Sequence, residues 1–392
     1  MNHWHRALLI SALPFMPGFL PASANAATCD GLAALLLPNT TINSAQTVAA
    51  GTFVLPPGSP RSDSSFFSAF DTLRAFCRVQ GIVRPSTDSH IEFEVWLPMS
   101  GWNGRYMGAG NGGFGGMINY YRLAEAVNAG YAGSTTDTGH RGTVMATGWA
   151  VKHPQKVIDF NDRAVHETAD KSKGIIRAFY SANPTRSYFN SCSNGGRQGI
   201  VEALRYPADY DGVLAGAPSF NLGRELARRE KTPQFDETIP NLKAFRERGG
   251  KLILYHGAND GPGETVKFFE RVLSTVGQKN ATEFVQLYVV PEMGHCGGGP
   301  VPEFGLRLQP HADSLHSMVA ALEHWVENGV APNAIIATKY RVDENPASGI
   351  VRTRPLCPYP MEARWTGKGS VDEAANYVCD VVPKPDGRAG LK

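Results

Sequence analysis

Residues 187–199 read SYFNSCSNGGRQG, and they contain the strongest signal for the fold. The first residues form an apolar β run, a tight turn then carries Ser193, and a helix pattern begins at once. This layout is typical of a nucleophile elbow, usually written G-x-S-x-G, in which the residues two positions from the serine must be small. Ser191 and Gly195 satisfy that requirement, although Ser191 replaces the usual glycine. The alternative is a serine that only caps the following helix.

Strand and helix patterns alternate along the rest of the chain. Strand patterns cover residues 91–97, 105–109, 131–136, 186–190, 213–215, 251–256 and 284–290. Helix patterns cover residues 118–128, 154–180, 196–205, 264–276 and 312–327. This alternation predicts an α/β fold with a mostly parallel sheet flanked by helices. We expect residues 27–392 to form a single domain, whose tail from about residue 333 wraps the core.

The composition excludes several classes of protein. The chain has 392 residues with 38 Lys and Arg against 36 Asp and Glu, which gives a formal net charge of +2. This balance lacks the basic excess of non-specific nucleic-acid binding, so we expect no nucleic-acid partner. A hydrophobic share of 42% indicates a folded globular protein rather than a disordered one.

The first residues predict export from the cytoplasm. Residues 1–26 combine one Arg, an apolar run and the small-residue pattern Ala24-Asn25-Ala26, which is typical of a signal peptide cleaved after Ala26. An uncleaved membrane anchor is the alternative, and three prolines within a short segment disfavour it. We therefore expect a secreted or periplasmic protein without a membrane span after cleavage. In that oxidising space its six cysteines form disulfides, and the lack of a C-x-x-C motif disfavours metal binding.

A catalytic serine requires a base and an orienting acid, which follow it in this type of fold in the order Asp or Glu, then His. Each partner lies in a loop after a later strand. Asp260 follows the strand pattern of 251–256, and His295 follows that of 284–290. Other histidines fit less well, because they lie in helix patterns or at the end of a strand: His166, His256 and His324. The sequence therefore predicts a catalytic triad of Ser193, Asp260 and His295.

Two cysteines lie beside this predicted triad. Cys192 directly precedes Ser193, and Cys296 directly follows His295. If the serine and the imidazole approach within hydrogen-bond distance, a disulfide between their neighbours is geometrically feasible. Six cysteines allow 15 pairings, so this pair is one hypothesis among several.

These residues resemble the tannase/feruloyl esterase family. The resemblance rests on Cys192-Ser193, Asp260 and His295-Cys296. Further family-like blocks are residues 102–105 (WNGR), 110–113 (GNGG), 136–140 (TDTGH), 163–168 (RAVHET) and 211–218 (DGVLAGAP). The resemblance implies an α/β-hydrolase fold, a Ser-Asp-His triad and a disulfide between the cysteines beside the serine and the histidine. It also implies the pairs Cys29–Cys77 and Cys357–Cys379.

Acyl transfer also needs hydrogen-bond donors for the oxyanion. The N–H of Asn194, next after the nucleophile, is the first expected donor. The resemblance places the second in the glycine-rich turn of residues 108–116, at Gly112 or Gly113. A phosphate-binding loop is the alternative, but this segment lacks the Lys-Ser/Thr ending of such loops.

The segment between the serine helix and the acid strand is short. Many members of the family carry a large lid here, often with a calcium loop closed by its own cysteines. Residues 219–250 contain no cysteine and no alternating Asp or Asn ligands, so we expect a short lid and no metal. Three aromatic residues are candidates to face a substrate ring, with core packing as the alternative: Phe114, Phe220 and Phe235.

The predicted function is that of a secreted serine carboxylic-ester hydrolase that works through an acyl-enzyme and needs no cofactor. The resemblance implies small-molecule, plant-type esters of aromatic acids, of the feruloyl or galloyl kind, as substrates. Two alternatives remain at this point. One is a secreted serine peptidase or amidase with the same triad, and the other is a non-catalytic binding protein on the same fold.

Overall fold

The computed structural model describes residues 26–59, 68–233, 236–297, 303–308, 312–342 and 345–381. The predicted signal peptide, apart from its last residue, and the candidate Phe235 lie outside these described residues. Within the described ranges, no helix is both long enough and apolar enough to cross a membrane.

A large sheet forms the centre of the molecule. Its strands are β1 (Thr40–Val48), β2 (Phe76–Val83), β3 (Ile91–Pro98), β4 (Arg105–Gly108), β5 (Ala132–Thr136), β6 (Arg186–Cys192), β7 (Gly212–Gly216), β8 (Lys251–Gly257) and β9 (Val285–Val290). Among the described residues these nine strands lie in the order β1-β2-β3-β5-β4-β6-β7-β8-β9. Strands β4 to β9 pair in parallel, and β1 to β3 add an antiparallel edge. The parallel strands all end at one edge, where such sheets place their functional loops.

Helices cover both faces of this sheet. They are α1 (Ser68–Asp71), α2 (Tyr120–Asn128), α3 (Pro154–Ile158), α4 (Ala164–Tyr180), α5 (Asn194–Arg205), α6 (Leu222–Arg229), α7 (Lys243–Glu247), α8 (Gly263–Val276), α9 (Gln278–Thr282) and α10 (Met318–Asn328). Successive residues of β7 enter different core clusters, because Val213 packs in the cluster of Ile200 from α5 and Leu214 in that of Trp325 from α10. The mostly parallel sheet buried between two helical layers confirms the predicted α/β fold.

The helix predicted over residues 154–180 is interrupted. Helix α3 ends at Ile158, a π-helical turn covers Asp159–Arg163, and α4 starts at Ala164. Asp159 is buried in this turn, where its carboxylate accepts hydrogen bonds from Ser89 at 3.2 Å and from Arg163 at 2.6 Å. The hydrophobic period continues through the turn, so the sequence pattern does not reveal the break.

The tail of the chain forms two small antiparallel sheets. Strand β10 (Ile335–Tyr340) pairs with β11 (Ile350–Leu356), and β12 (Met361–Trp365) pairs with β13 (Tyr377–Val381). Ile335 and Leu356 are buried in the core cluster that contains α10, so the first of these sheets packs on the main domain.

Candidate active site

Ser193 occupies the sharp turn between β6 and α5. Its backbone angles are φ 64° and ψ −127°, a left-handed conformation that a side chain rarely adopts. The surrounding glycines allow it, because a Cβ on Gly195 would lie 2.0 Å from Ser191 Oγ and one on Gly196 would lie 2.2 Å from the Gly216 carbonyl oxygen. Strain of this kind concentrates at functional sites, where the packing of the whole region maintains it.

The structure brings the three predicted triad residues together. His295 Nε2 lies 2.8 Å from Ser193 Oγ, and His295 Nδ1 lies 2.6 Å from Asp260 Oδ2. Asp260 ends a short 3₁₀ turn after β8, and His295 follows β9, so both come from the edge at which the parallel strands end. A carboxylate can only accept, so the histidine proton lies on Nδ1 and Nε2 can accept the serine proton. This is the connectivity that nucleophilic catalysis by serine requires.

A disulfide joins the nucleophile turn to the histidine loop. Cys192 is bonded to Cys296 across 104 positions of sequence, with their Cα atoms 5.8 Å apart. The remaining cysteines, all within the described residues, form the pairs that the family resemblance implied, Cys29–Cys77 and Cys357–Cys379. The Cys192–Cys296 bond fixes the residues next to Ser193 and His295, on both sides of the serine–imidazole contact.

Amide donors for an oxyanion lie on two elements. Asn194 is the first residue of α5, so its N–H has no partner within the helix. In the glycine-rich loop after β4, Asn111 N–H donates to Gln198 Oε1 at 3.0 Å and Phe114 N–H donates to the Val144 carbonyl at 2.8 Å. Among the described residues, the N–H groups of Gly112 and Gly113 donate to no other group, as the predicted oxyanion role requires.

The TDTGH segment braces this loop, a role that the sequence did not reveal. Asn111 Nδ2 donates to the Thr136 carbonyl at 2.7 Å, and His140 Nε2 lies 2.9 Å from the Phe114 carbonyl. The His140 ring stacks on Trp149 at 3.7 Å between centroids. Burial lowers the pKa of His140 to about 4, so the imidazole is neutral near pH 7 and its Nε2–H donates to the carbonyl.

Three further polar side chains contact the predicted site residues and were not predicted to do so. Ser219 Oγ lies 3.3 Å from Ser193 Oγ, and the buried Arg197 donates to Asn194 Oδ1 at 2.8 Å. His256, which the sequence ranked below His295, lies with Nε2 3.0 Å from Asp260 Oδ2. The one sequence signal for this last contact is the spacing of four residues between His256 and Asp260.

The aromatic candidates occupy different places. Phe114 lies on the glycine-rich loop and packs 6.1 Å from Phe160, in a cluster that includes Trp149 and Leu222 of α6. Phe220 packs 5.4 Å from Phe268 of α8 and joins the main core cluster, which is the packing alternative. Phe114 is therefore the described candidate that lies closest in sequence to the oxyanion donors.

Across the described residues, no group of three His, Cys, Asp or Glu side chains could hold a metal ion.

Comparisons with known proteins identify a family and a fold for the chain. The chain matches the family profile described as Tannase and feruloyl esterase over residues 77–229 and 223–380. It is 36% identical to a probable feruloyl esterase B-2 of Aspergillus oryzae, with 94% of this chain and 98% of the relative covered. It is 29% identical to an uncharacterised esterase of Xanthomonas campestris pv. campestris, with 96% and 95% covered. The crystal structure of feruloyl esterase B from Aspergillus oryzae has the same fold, with a TM-score of 0.75 and 21% identity over 90% of this chain and 99% of that chain.

Proposed function

The chain belongs to the tannase and feruloyl esterase family, and from this membership we propose that it is a secreted serine esterase that cleaves small esters of aromatic acids. The coarser activity, hydrolysis of carboxylic esters, follows directly from the family. The observation that carries the proposed serine mechanism is the unbroken chain of contacts from Ser193 through His295 to Asp260, at 2.8 and 2.6 Å.

In the proposed mechanism Ser193 Oγ attacks the ester carbonyl carbon while His295 Nε2 takes the hydroxyl proton. The carbonyl oxygen becomes an oxyanion and accepts hydrogen bonds from Asn194 N–H and from Gly112 or Gly113 N–H. Collapse of the tetrahedral intermediate breaks the bond to the alcohol, which leaves with the proton from His295. The acyl group then remains on Ser193.

Deacylation repeats these steps with water. His295 removes a proton from water, the resulting hydroxide attacks the acyl carbon, and the carboxylic acid leaves as Ser193 regains its proton. Asp260 holds the imidazole in the tautomer that both half-reactions need. All bonds and protons are accounted for by these three side chains and water.

Aromatic substrates are proposed from the relatives and from the apolar surroundings of the oxyanion loop. The matched relative from Aspergillus oryzae is described as a feruloyl esterase, an enzyme class named for an aromatic acid. Phe114 directly follows the proposed donors at Gly112 and Gly113, and it packs in one cluster with the half-buried Trp149 and the fully buried Phe160. Aromatic rings bind aromatic faces favourably, so the half-buried Phe114 and Trp149 suit the ring of an acyl group.

A short lid is also part of the proposal. The alignment with the Aspergillus oryzae relative spans 525 positions, more than the 392 residues of this chain, so the relative contains additional residues. The family profile matches in two parts that meet at residues 223–229, within α6. Both observations support a lid reduced to about residues 219–250, which contain α6 and α7.

Substitution of the nucleophile tests the proposed function. Ser193→Ala should lower kcat/KM by roughly 10,000-fold or more on methyl ferulate, methyl gallate, chlorogenate and a terephthalate mono-ester, because the triad acts as a unit. Ser187→Ala, on strand β6 just before the turn, is the matched control and should retain activity. A folded Ser193→Ala protein with full activity would overturn the serine mechanism, and equal rates on matched amides would reassign the enzyme to the amidases.

A further inference from the structure

The carboxylate of the proposed triad contacts two imidazoles on the same oxygen. Asp260 Oδ2 lies 2.6 Å from His295 Nδ1 and 3.0 Å from His256 Nε2. His256 is the last residue but one of β8, and its side chain is buried, whereas His295 is about half exposed. The triad carboxylate therefore has a buried partner on the side opposite to the exposed base.

The second ring nitrogen of His256 indicates where its proton lies. His256 Nδ1 lies 2.8 Å from Thr265 Oγ1, a fully buried hydroxyl in the first turn of α8. Burial lowers the pKa of His256 below its ordinary value, so the ring carries a single proton. A hydroxyl can donate to Nδ1, but a carboxylate cannot donate to Nε2. The single proton consequently lies on Nε2 and faces Asp260.

We propose that His256 is a positioning residue, which uses its Nε2 proton to hold Asp260 Oδ2 in the orientation that His295 requires. This inference rests on the triad proposed above. Among the described contacts, the two imidazoles are the side-chain partners of Asp260. The next residue, Gly261, has a positive φ of 69°, which turns the backbone sharply. The carboxylate thus lies in a sharp turn after β8, and His256 on β8 restrains its orientation.

A neutral donor suits this position better than a cationic one. When His295 accepts the serine proton it becomes an imidazolium, and a second positive charge beside Asp260 would oppose that step. His256 supplies a hydrogen-bond donor without a charge. The 3.0 Å contact falls outside hydrogen-bond geometry in this structure, and hydrogen bonds in catalytic sites often align only as the reaction proceeds.

Kinetics of four variants test the proposal. His256→Leu should lower kcat about 10-fold to 100-fold with KM within about twofold, because a hydrogen bond to a charged group is lost. His256→Gln keeps an N–H at a similar reach and should restore kcat to within about fivefold of the unmodified enzyme. Val272→Ala, a buried position on α8 seven residues after Thr265, controls for lost stability and should leave kcat unchanged. Ser193→Ala reports on the proposed function itself.

Imidazole ¹⁵N NMR on the full protein gives a second, direct readout. We expect His256 to be neutral and protonated on Nε2. Protonation on Nδ1, full kcat in His256→Leu, or a His256→Gln variant as slow as His256→Leu would each overturn the positioning role. If Ser193→Ala is inactive while His256→Leu is fully active, this inference fails alone. If Ser193→Ala is active, the proposed function fails instead.

Discussion

At the scale of single residues, the buried His140 holds the glycine-rich loop in place through a hydrogen bond, and its pKa is shifted by the same burial. Its Nε2–H donates to the Phe114 carbonyl at 2.9 Å, and its ring is buried against Trp149. Burial lowers the pKa of His140 from 6.5 to about 4. The unfolded chain therefore takes up this proton as the pH falls below about 6.5, whereas the folded protein does not until about 4.

This difference predicts how stability depends on pH. Between about pH 6.5 and 4 the unfolded state binds more protons at this site, so the contribution of His140 to the free energy of unfolding falls by up to about 3 kcal/mol as the pH falls. His140→Gln keeps a donor for Phe114 and does not titrate. We expect urea unfolding to show that the stability of the native protein relative to His140→Gln declines across this window. Parallel curves for the two proteins would contradict the prediction.

The comparison with a variant is needed because Asp159 acts in the opposite direction. Burial raises the pKa of Asp159 from 3.8 to about 6. The folded state therefore binds this proton first, and the contribution of Asp159 to stability increases as the pH falls from about 6 to 3.8. Both proteins contain Asp159, so its effect cancels in the difference between them.

Residue-scale contacts also mark the limit of what the sequence can reveal. Ser193, Asp260 and His295 are predictable because each lies in a loop directly after a strand and in a fixed order along the chain. The contacts of His140 and His256 depend on side-chain directions in the turn after β5 and at the end of β8, which the strand patterns do not specify. A histidine at the end of a strand therefore reads as structural until the register of the sheet is known.

At the scale of elements, the disulfide between Cys192 and Cys296 links the end of β6 to the loop after β9. Without this bond, only the packing of the sheet would hold these two segments together. Replacing both cysteines with serine should lower the free energy of unfolding by about 4–5 kcal/mol, since it frees a loop of 104 positions in the unfolded chain. We also expect kcat to fall, because Cys296 is the neighbour of His295.

The Cys357–Cys379 pair is the matched control for this prediction. Its separation is 22 positions and it lies in the tail, so its removal should cost about 3 kcal/mol. Denaturant unfolding and kcat measured on both double variants would separate the two roles. Equal losses of kcat in the two variants would show that the Cys192–Cys296 bond contributes stability alone.

The elements themselves were predictable to different degrees. The strand, turn and helix around Ser193 were predicted from 13 residues, and the structure places β6 and α5 there because the signal is local. Strands β1 and β2 were both missed. Strand β1 has a bulge and an irregular burial pattern, so its residues do not alternate, and Gly81 stands at one of the buried positions of β2, where it interrupts the apolar pattern. The four tail strands were also missed, since most of their side chains are exposed or half-exposed and show little periodicity.

At the scale of the whole molecule, the paired cysteines support the proposed export of the enzyme. All six cysteines are paired, although a chain of this size can bury a sufficient core without disulfides. Disulfides of this kind persist in oxidising compartments. The proposed leader of residues 1–26 would deliver the chain there.

Export and oxidation together predict the mass of the mature enzyme. The full chain, expressed in a bacterium with a periplasm, should be recovered without residues 1–26, because the Ala24-Asn25-Ala26 pattern directs cleavage after Ala26. Three disulfides should make it six hydrogen atoms lighter than its reduced form. Intact-mass spectrometry before and after reduction measures both quantities on one sample. A protein that retains residues 1–26 and sediments with membranes would instead identify the segment as an anchor, and free thiols in the active enzyme would contradict the oxidised state.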